Sequence, residues 1–240
     1  MLAIETKKLT KKFKEKIAVN SVDLKIDEGE LFALLGTNGA GKTTTIKMLS
    51  TLILPTDGEI KINGLDIIKD RQKIKEILNV SPQETAIAPN LSVKENLEFM
   101  AGVYQISNKE EKINELIKTF KLDEVLNQKA KTLSGGWQRK VSIAISLINN
   151  PKILFLDEPT LGLDVIARKE LWAVIEKLKG RITIILTTHY MEEAESLSDR
   201  IGIMAKGKLI DVGTVEELTK KAGTKNFEDA FVKIATGGEL

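Results

Sequence analysis

Eight residues, Gly36–Thr43 (GTNGAGKT), constrain the architecture of this chain more than any other segment. They follow the continuous apolar run Leu31–Leu35 (LFALL), which reads as a buried strand, and they open Lys42–Thr51, which reads as a helix. A Gly-x-x-x-x-Gly-Lys-Thr loop between a buried strand and a helix is a phosphate cradle. Gly36, Gly39 and Gly41 permit positive φ and remove side chains, so successive backbone N–H groups can face phosphate oxygens. The expected nucleotide contacts are therefore Gly36, Thr37, Asn38, Gly39, Ala40, Gly41, Lys42, Thr43 and Thr44. Lys42 supplies an ammonium to the outer phosphates and Thr43 a hydroxyl to magnesium, while the helix N-terminus faces the anion.

A strand next to such a loop needs parallel neighbours, and the chain offers them. Ile153–Asp157 and Ile182–Thr188 are apolar runs separated by a helical pattern near Ala167–Leu178. Strand, helix, strand in that order predicts a βαβ core. Before the loop, Val22, Leu24 and Ile26 alternate with polar residues and Asp27–Glu30 makes a turn, so residues 2–35 read as β-rich. Gly58–Gly64 reads as a strand ending in an Asn–Gly turn. Between about 90 and 150 the apolar spacing becomes helical, over Ser92–Gln105, Lys109–Phe120 and Gly136–Ile148, and it recurs over Tyr190–Leu197. The expectation is one α/β domain with an N-terminal β portion and a helical insertion.

Asp157 and Glu158 close the Ile153–Glu158 run at the carboxyl edge, where open α/β sheets bind ligands. Asp157 is expected to organise magnesium and Glu158 to polarise an attacking water as general base. His189 is the only histidine in 240 residues and follows the neighbouring strand, a position from which it can donate to a γ-phosphate. Leu133–Lys140 (LSGGWQRK) places Ser134, Gly135 and Gly136 ahead of a helix as a second small anion site. One nucleotide needs one cradle, so these residues either form a plain Ser cap with glycines or reach a nucleotide held by another copy.

Bulk composition narrows the remaining classes. A net charge of +2 gives no field for nucleic acid. The absence of cysteine excludes disulfides and thiolate chemistry. No apolar stretch approaches the roughly 20 residues of a membrane helix, and the first residues lack the apolar region of a signal peptide. A cytoplasmic location is expected. There is also no Asn-Lys-x-Asp to read guanine.

In order, the chain carries Gly36–Thr43, Gln83 in VSPQE, Leu133–Gly136, Ile153–Glu158, Leu161–Asp164 and His189. In these motifs and their order it resembles an ATP-binding-cassette ATPase, the motor subunit of membrane transporters, over essentially its whole length. The resemblance implies a phosphate-loop, RecA-like core (1–82 and 151–240) with an antiparallel β subdomain and a helical subdomain at about 83–150. It implies ATP and Mg2+ as ligands, with Thr43, Gln83 and Asp157 on the metal and Glu158, His189 and Gln83 serving catalysis. It implies that Phe13 stacks on adenine with Val19 lining the same pocket. Ser134, Gly135 and Gly136 would contact the other copy's ATP, and Asp164 would belong to the D-loop. The implied assembly is a homodimer or paired cassette on an integral membrane permease, at the inner face of the cell membrane. Thr187–Glu195, Ile201–Thr214 and Phe227–Gly237 are similar to the exporter branch handling drugs, sodium and polysaccharides. A soluble cassette acting on a non-transport partner is the alternative. In the family it resembles, Leu133–Gly136 is a signature motif whose usual fifth residue is Gln; here it is Trp137, which either packs at the helix start or meets the partner's phosphate loop. Pro82–Leu91 carries apolar residues in a loop, which either receives a helix of the membrane partner or folds back onto the helical segment.

Overall fold

The computed structural model describes residues 1–238. In chain order the elements are β1 (Leu2–Phe13), β2 (Lys16–Asp27), β3 (Leu31–Gly36), α1 (Lys42–Leu49), β4 (Asp57–Ile62), β5 (Leu65–Asp66), α2 (Arg71–Ile77), β6 (Leu78–Ser81), α3 (Val93–Val103), α4 (Lys109–Phe120) and α5 (Gly135–Ser146). There follow β7 (Ile153–Asp157), α6 (Val165–Leu178), β8 (Thr183–Thr188), α7 (Met191–Leu197), β9 (Arg200–Ala205), β10 (Lys208–Gly213), α8 (Val215–Ala222) and α9 (Phe227–Thr236). They build a four-stranded antiparallel sheet, β2-β1-β4-β5, and a six-stranded sheet, β10-β9-β3-β8-β7-β6. In the second sheet only the β10 edge is antiparallel. The chain is an α/β protein of the phosphate-loop NTPase fold.

Side-chain alternation explains why the central strands are apolar throughout. Along β3, Leu31, Ala33 and Leu35 enter one core cluster, shared with the helical segment and with α6, α7, α8 and α9. Phe32 and Leu34 enter another, shared with α1 and the antiparallel sheet. A strand covered on both faces has no polar side. The expected β7 and β8 runs are found where predicted, paired parallel in register from Ile153↔Thr183 to Asp157↔Thr187. The Asn63–Gly64 turn is also found, with φ of 47° and 77° as a type I′ hairpin requires. Helix α1 stops at Leu49, short of Thr51, because Thr51 turns left-handed with φ 64°.

Strands β6, β9 and β10 are not among the elements expected above. Strand β6 has four residues, and β9 and β10 enclose a Lys206–Gly207 turn with φ of 48° and 78°. Their placement matters for the site, because β9 is the parallel neighbour of β3.

Pro82–Leu91 folds back for part of its length. Ile87 is half-buried against the larger core cluster, whereas Ala86 and Pro89 are exposed. Asn96, buried on α3, holds the loop. Its Oδ1 accepts from Ala88 N (2.7 Å), and its Nδ2 donates to the carbonyls of Ala88, Leu91 and Ser92 (3.1, 3.3 and 2.9 Å). Asn96→Leu keeps the volume but strands the Ala88 amide, at a cost of roughly 1–3 kcal/mol. Melting should fall by roughly 2–12 °C, and hydrogen exchange should show lost protection at 86–92. An unchanged melt would show that the loop is held by other contacts.

Candidate active site

Parallel pairing brings the carboxyl ends of β3, β6, β7 and β8 to one edge of the sheet, so the motifs they carry converge there. The Gly36–Thr43 loop wraps that edge. Gly41 has φ 105°, and a Cβ on it would lie 2.6 Å from the Ala18 carbonyl. Gly39 also has positive φ, but Gly36 does not. Gly36 is required for a different reason from the one expected: a Cβ there would sit 2.4 Å from the Met204 carbonyl of β9.

Lys42 is buried and folded along the loop. Its Nζ donates to the carbonyls of Gly36 (2.8 Å) and Thr37 (3.3 Å) and lies 3.4 Å from Glu158 Oε1. The other Glu158 oxygen, Oε2, is 2.6 Å from His189 Nδ1. One carboxylate thus joins the loop lysine to the histidine after β8. Since a carboxylate can only accept, His189 donates from Nδ1; a phosphate contact through Nε2 would then need a second proton on the ring or a turn of it. Glu158 itself has φ 49°, a left-handed conformation that a non-glycine residue holds only under tertiary constraint. Its N–H donates to the Thr187 hydroxyl (3.0 Å).

Asp157 Oδ1 accepts from the hydroxyls of Thr43 (3.1 Å) and Thr187 (2.6 Å). Gln83 and Thr43 line one cavity with Glu158 and His189. Hydroxyl, carboxylate and side-chain amide oxygens form a hard donor set of the kind magnesium takes, so these residues fit that ion.

The cavity measures about 670 Å³, and its wall includes Leu161 of the Leu161–Asp164 motif together with residues that the sequence reading missed: Lys16, Ile17, Ala18, Lys206 and Gly207. The β9–β10 turn reaches the loop directly, where Gly207 N donates to the Ala40 carbonyl (3.0 Å). Lys-Gly between two apolar alternating runs, IGIMA and KLIDV, was the available signal.

One expectation fails here. Val19 does not line the cavity but is fully buried in the core, because alternation along β2 turns Val19 inward and leaves Ala18 on the cavity side. Phe13 lies at the β1–β2 turn, 48% exposed and outside the cavity wall, with Lys11 Nζ 5.2 Å from its ring centroid.

Ser134 caps α5, accepting from Trp137 N (3.4 Å), and Gly135 and Gly136 open the helix. None of the three lines the 670 Å³ cavity. Trp137 is half-buried against the core, with the Lys140 ammonium 4.4 Å from its ring centroid. Asp164 is exposed and caps α6, accepting from Ile166 N and Ala167 N (2.9 Å each).

Behind the site lies Glu193 on α7, fully buried. Trp172 Nε1 donates to its Oε1 (3.0 Å), while its Oε2 and the Thr160 hydroxyl have no partner. Burial pushes its carboxyl above the ordinary value, with the Glu158 charge adding to the shift. A larger cavity of about 1030 Å³ opens elsewhere, near Lys112, Lys152 and Arg181, and contains none of these motifs.

The "ABC transporter" family model matches residues 19–161, more than half of the chain. The phospholipid-transporting ATPase ABCA3 of Homo sapiens is 42% identical over 226 residues, covering 92% of this chain and 13% of ABCA3. The probable multidrug ABC transporter ATP-binding protein YbhF of Escherichia coli is 38% identical over 240 residues, covering 96% of this chain and 41% of YbhF. The chain therefore spans well under half the length of these curated relatives. Among solved structures, the dimeric post-hydrolysis state of the ATP-binding cassette MJ0796, bound to ADP and Pi, superposes with a TM-score of 0.79 at 28% identity, covering 88% of this chain and 98% of MJ0796.

The buried Glu193 has a measurable signature. Its folded-state pKa is raised, so the fold keeps a proton that the unfolded chain has released. That contribution is complete below the ordinary carboxyl value and is lost as pH rises through the raised one. Glu193→Gln, which mimics the protonated acid, should melt above the parent at about pH 8, the gap closing towards about pH 4. A gap independent of pH would show that Glu193 is not the titrating group.

Proposed function

Since the chain belongs to the ABC transporter family as one of its ATPase domains, we propose that it hydrolyses MgATP in a head-to-tail pair of cassettes and drives export through a membrane-spanning partner. The convergence of Lys42, Glu158 and His189 at the cavity carries this reading. The loop amides and Lys42 hold the phosphates. Glu158 takes the proton of the attacking water as that water adds to the γ-phosphorus; the bond to the bridging oxygen breaks, releasing ADP and phosphate. His189 orients Glu158 through its Nδ1–H. Thr43, Gln83 and Asp157 would hold Mg2+, which supplies charge neutralisation at the phosphates when bound.

Pairing is supported by the position of the second cradle. Ser134, Gly135 and Gly136 lie outside the cavity of their own chain, so they can serve a nucleotide only from across an interface. Leu161, Val165 and Ile166, around the D-loop and its Asp164, are exposed apolar residues such an interface would cover. Phe13 would reach adenine by extending the cavity wall beyond Lys16. The chain divides as one cassette, residues 1–82 and 151–240 forming the core, of which 239–240 lie outside the described residues, and about 83–150 the helical part.

The membrane partner is supported by a second apolar surface. Phe99 and Val103 lie one turn apart on α3, 58% and 57% exposed, and Tyr104 and Leu52 line a nearby groove of about 690 Å³. Among the described residues no helix is long and apolar enough to cross a membrane, so a spanning partner has to come from outside them. Attachment to it would hold the cassette at the inner face of the cell membrane. Export rather than import is the direction in keeping with the name of YbhF, a probable multidrug ABC transporter ATP-binding protein.

Saturating MgATP, at about 100 times its dissociation constant, adds about 2.7 kcal/mol. Melting should then rise by roughly 5–11 °C. Glu158→Gln should keep that rise, lose hydrolysis by roughly 10²–10⁴-fold, and accumulate a nucleotide-bound dimer on size exclusion. Full turnover in the variant would remove Glu158 as the base. Phe99→Glu should abolish co-purification with the membrane partner while leaving ATPase of the isolated chain within about twofold, since surface substitutions away from a site perturb stability little. Retained co-purification would place the docking surface elsewhere.

A further inference from the structure

Arg139 makes four side-chain hydrogen bonds at the edge of the site, and the proposed reaction uses none of them. It lies on α5, five residues after the Ser134 cap, with 4% of its surface exposed. A buried guanidinium normally meets a carboxylate. Here every hydrogen-bond acceptor is a backbone carbonyl. Nε donates to Pro159 O (2.8 Å), Nη2 to Asp157 O (2.7 Å), and Nη1 to Pro82 O and to Gln83 O (3.3 Å). Burial lowers its pKa to about 10, with Asp157, Glu193 and Glu158 opposing the shift, so it remains a cation at neutral pH.

The four acceptors belong to two separate segments, the exit from β6 and the exit from β7. Two of them, Asp157 O and Pro159 O, bracket Glu158, the residue held at φ 49°. A left-handed glutamate persists only where its flanking peptides are fixed from outside. Arg139 fixes both. The same fork holds the carbonyl of Gln83, whose side chain lines the nucleotide cavity, and it projects from the helix that begins with the second cradle.

We infer that Arg139 is a positioning residue, which sets Glu158 in its catalytic conformation and ties that conformation to the places of Gln83 and of the Ser134 cradle. The inference rests on the assignment of Glu158 as the base of an ATPase. Lysine cannot replace arginine in this role, because its ammonium lacks the planar fork that reaches carbonyls on two segments at once. A small displacement of a catalytic group costs turnover far more than it costs ground-state binding.

The test compares the purified parent chain with Arg139→Lys and Arg139→Met, each alone and combined with Glu158→Gln. Measured are kcat, the dissociation constant for a fluorescent ATP analogue with Mg2+, and the melting temperature. Arg139→Lys should lower kcat by roughly 10²-fold with nucleotide affinity within about threefold. In the Glu158→Gln background the same substitution should cost almost nothing more, because residues that act as one unit are not additive. Arg139→Met should lose kcat at least as strongly, and it serves as the reading if the lysine variant fails to fold. Parent-like kcat in both variants would overturn the inference. So would parallel loss of affinity and melting temperature, or losses that multiply with Glu158→Gln, either of which would mark Arg139 as structural support alone. A parent chain that binds but does not hydrolyse MgATP would instead overturn the ATPase assignment, and the positioning role would fall with it.

Discussion

A carboxylate buried at the end of a strand has to be satisfied within a few ångströms, and Asp157 meets that demand by drawing in the Thr43 and Thr187 hydroxyls. These belong to the helix after the phosphate loop and to the adjacent parallel strand. One oxygen therefore sets the relative heights of α1, β7 and β8. Glu158, next in the chain, inherits that geometry, with its N–H on the Thr187 hydroxyl and its carboxylate between Lys42 and His189. Lys42 and Glu158 are nearly buried, so removing either leaves a charge without its partner in a place water barely reaches. The site is held together by the groups that are proposed to perform its chemistry.

What could be read from the sequence follows a physical division. Gly36–Thr43, Asp157, Glu158 and His189 were legible because the strands carrying them are apolar on both faces, and such runs stand out. Asn63–Gly64 was legible because its turn demands two positive φ values. Val19 was misjudged because a β-branched residue in an alternating strand suits either face, and only the β1–β2 register decides which is inward. Strand β6 escaped because four residues carry too little period. Arg139 looked like an ordinary charge on an amphipathic helix, since backbone acceptors leave no partner pattern in a sequence. Lys206 and Gly207 were invisible as site residues because nothing local shows that β9 lies beside β3.

The loop between the two sheet-end motifs shows the same limit. Its apolar residues could have faced a partner or the chain itself, and Asn96 settled the matter for Ile87 through hydrogen bonds spanning residues 88 to 96. An asparagine inside a helix carries no sign of that role, because solvent-facing asparagines share its composition and neighbours.

The position of β3 in the sheet also bears on how the molecule is made. Its partners are β8 and β9, with Leu31 opposite Ile184 and Ala33 opposite Ile201. Neither partner exists when β3 leaves the ribosome. At about 5–20 residues per second, residue 184 emerges roughly 8–30 s after residue 31. During that interval one of the most apolar strands of the chain has no edge to join, and its backbone donors and acceptors are free to template other chains. The first β-hairpin, β1 with β2, can form at once and offers Leu24 and Ile26 as temporary cover for Phe32 and Leu34, which share their core cluster in the finished fold. The β1–β2 hairpin is thus the first part of the chain able to cover the strand on which the nucleotide site is later built.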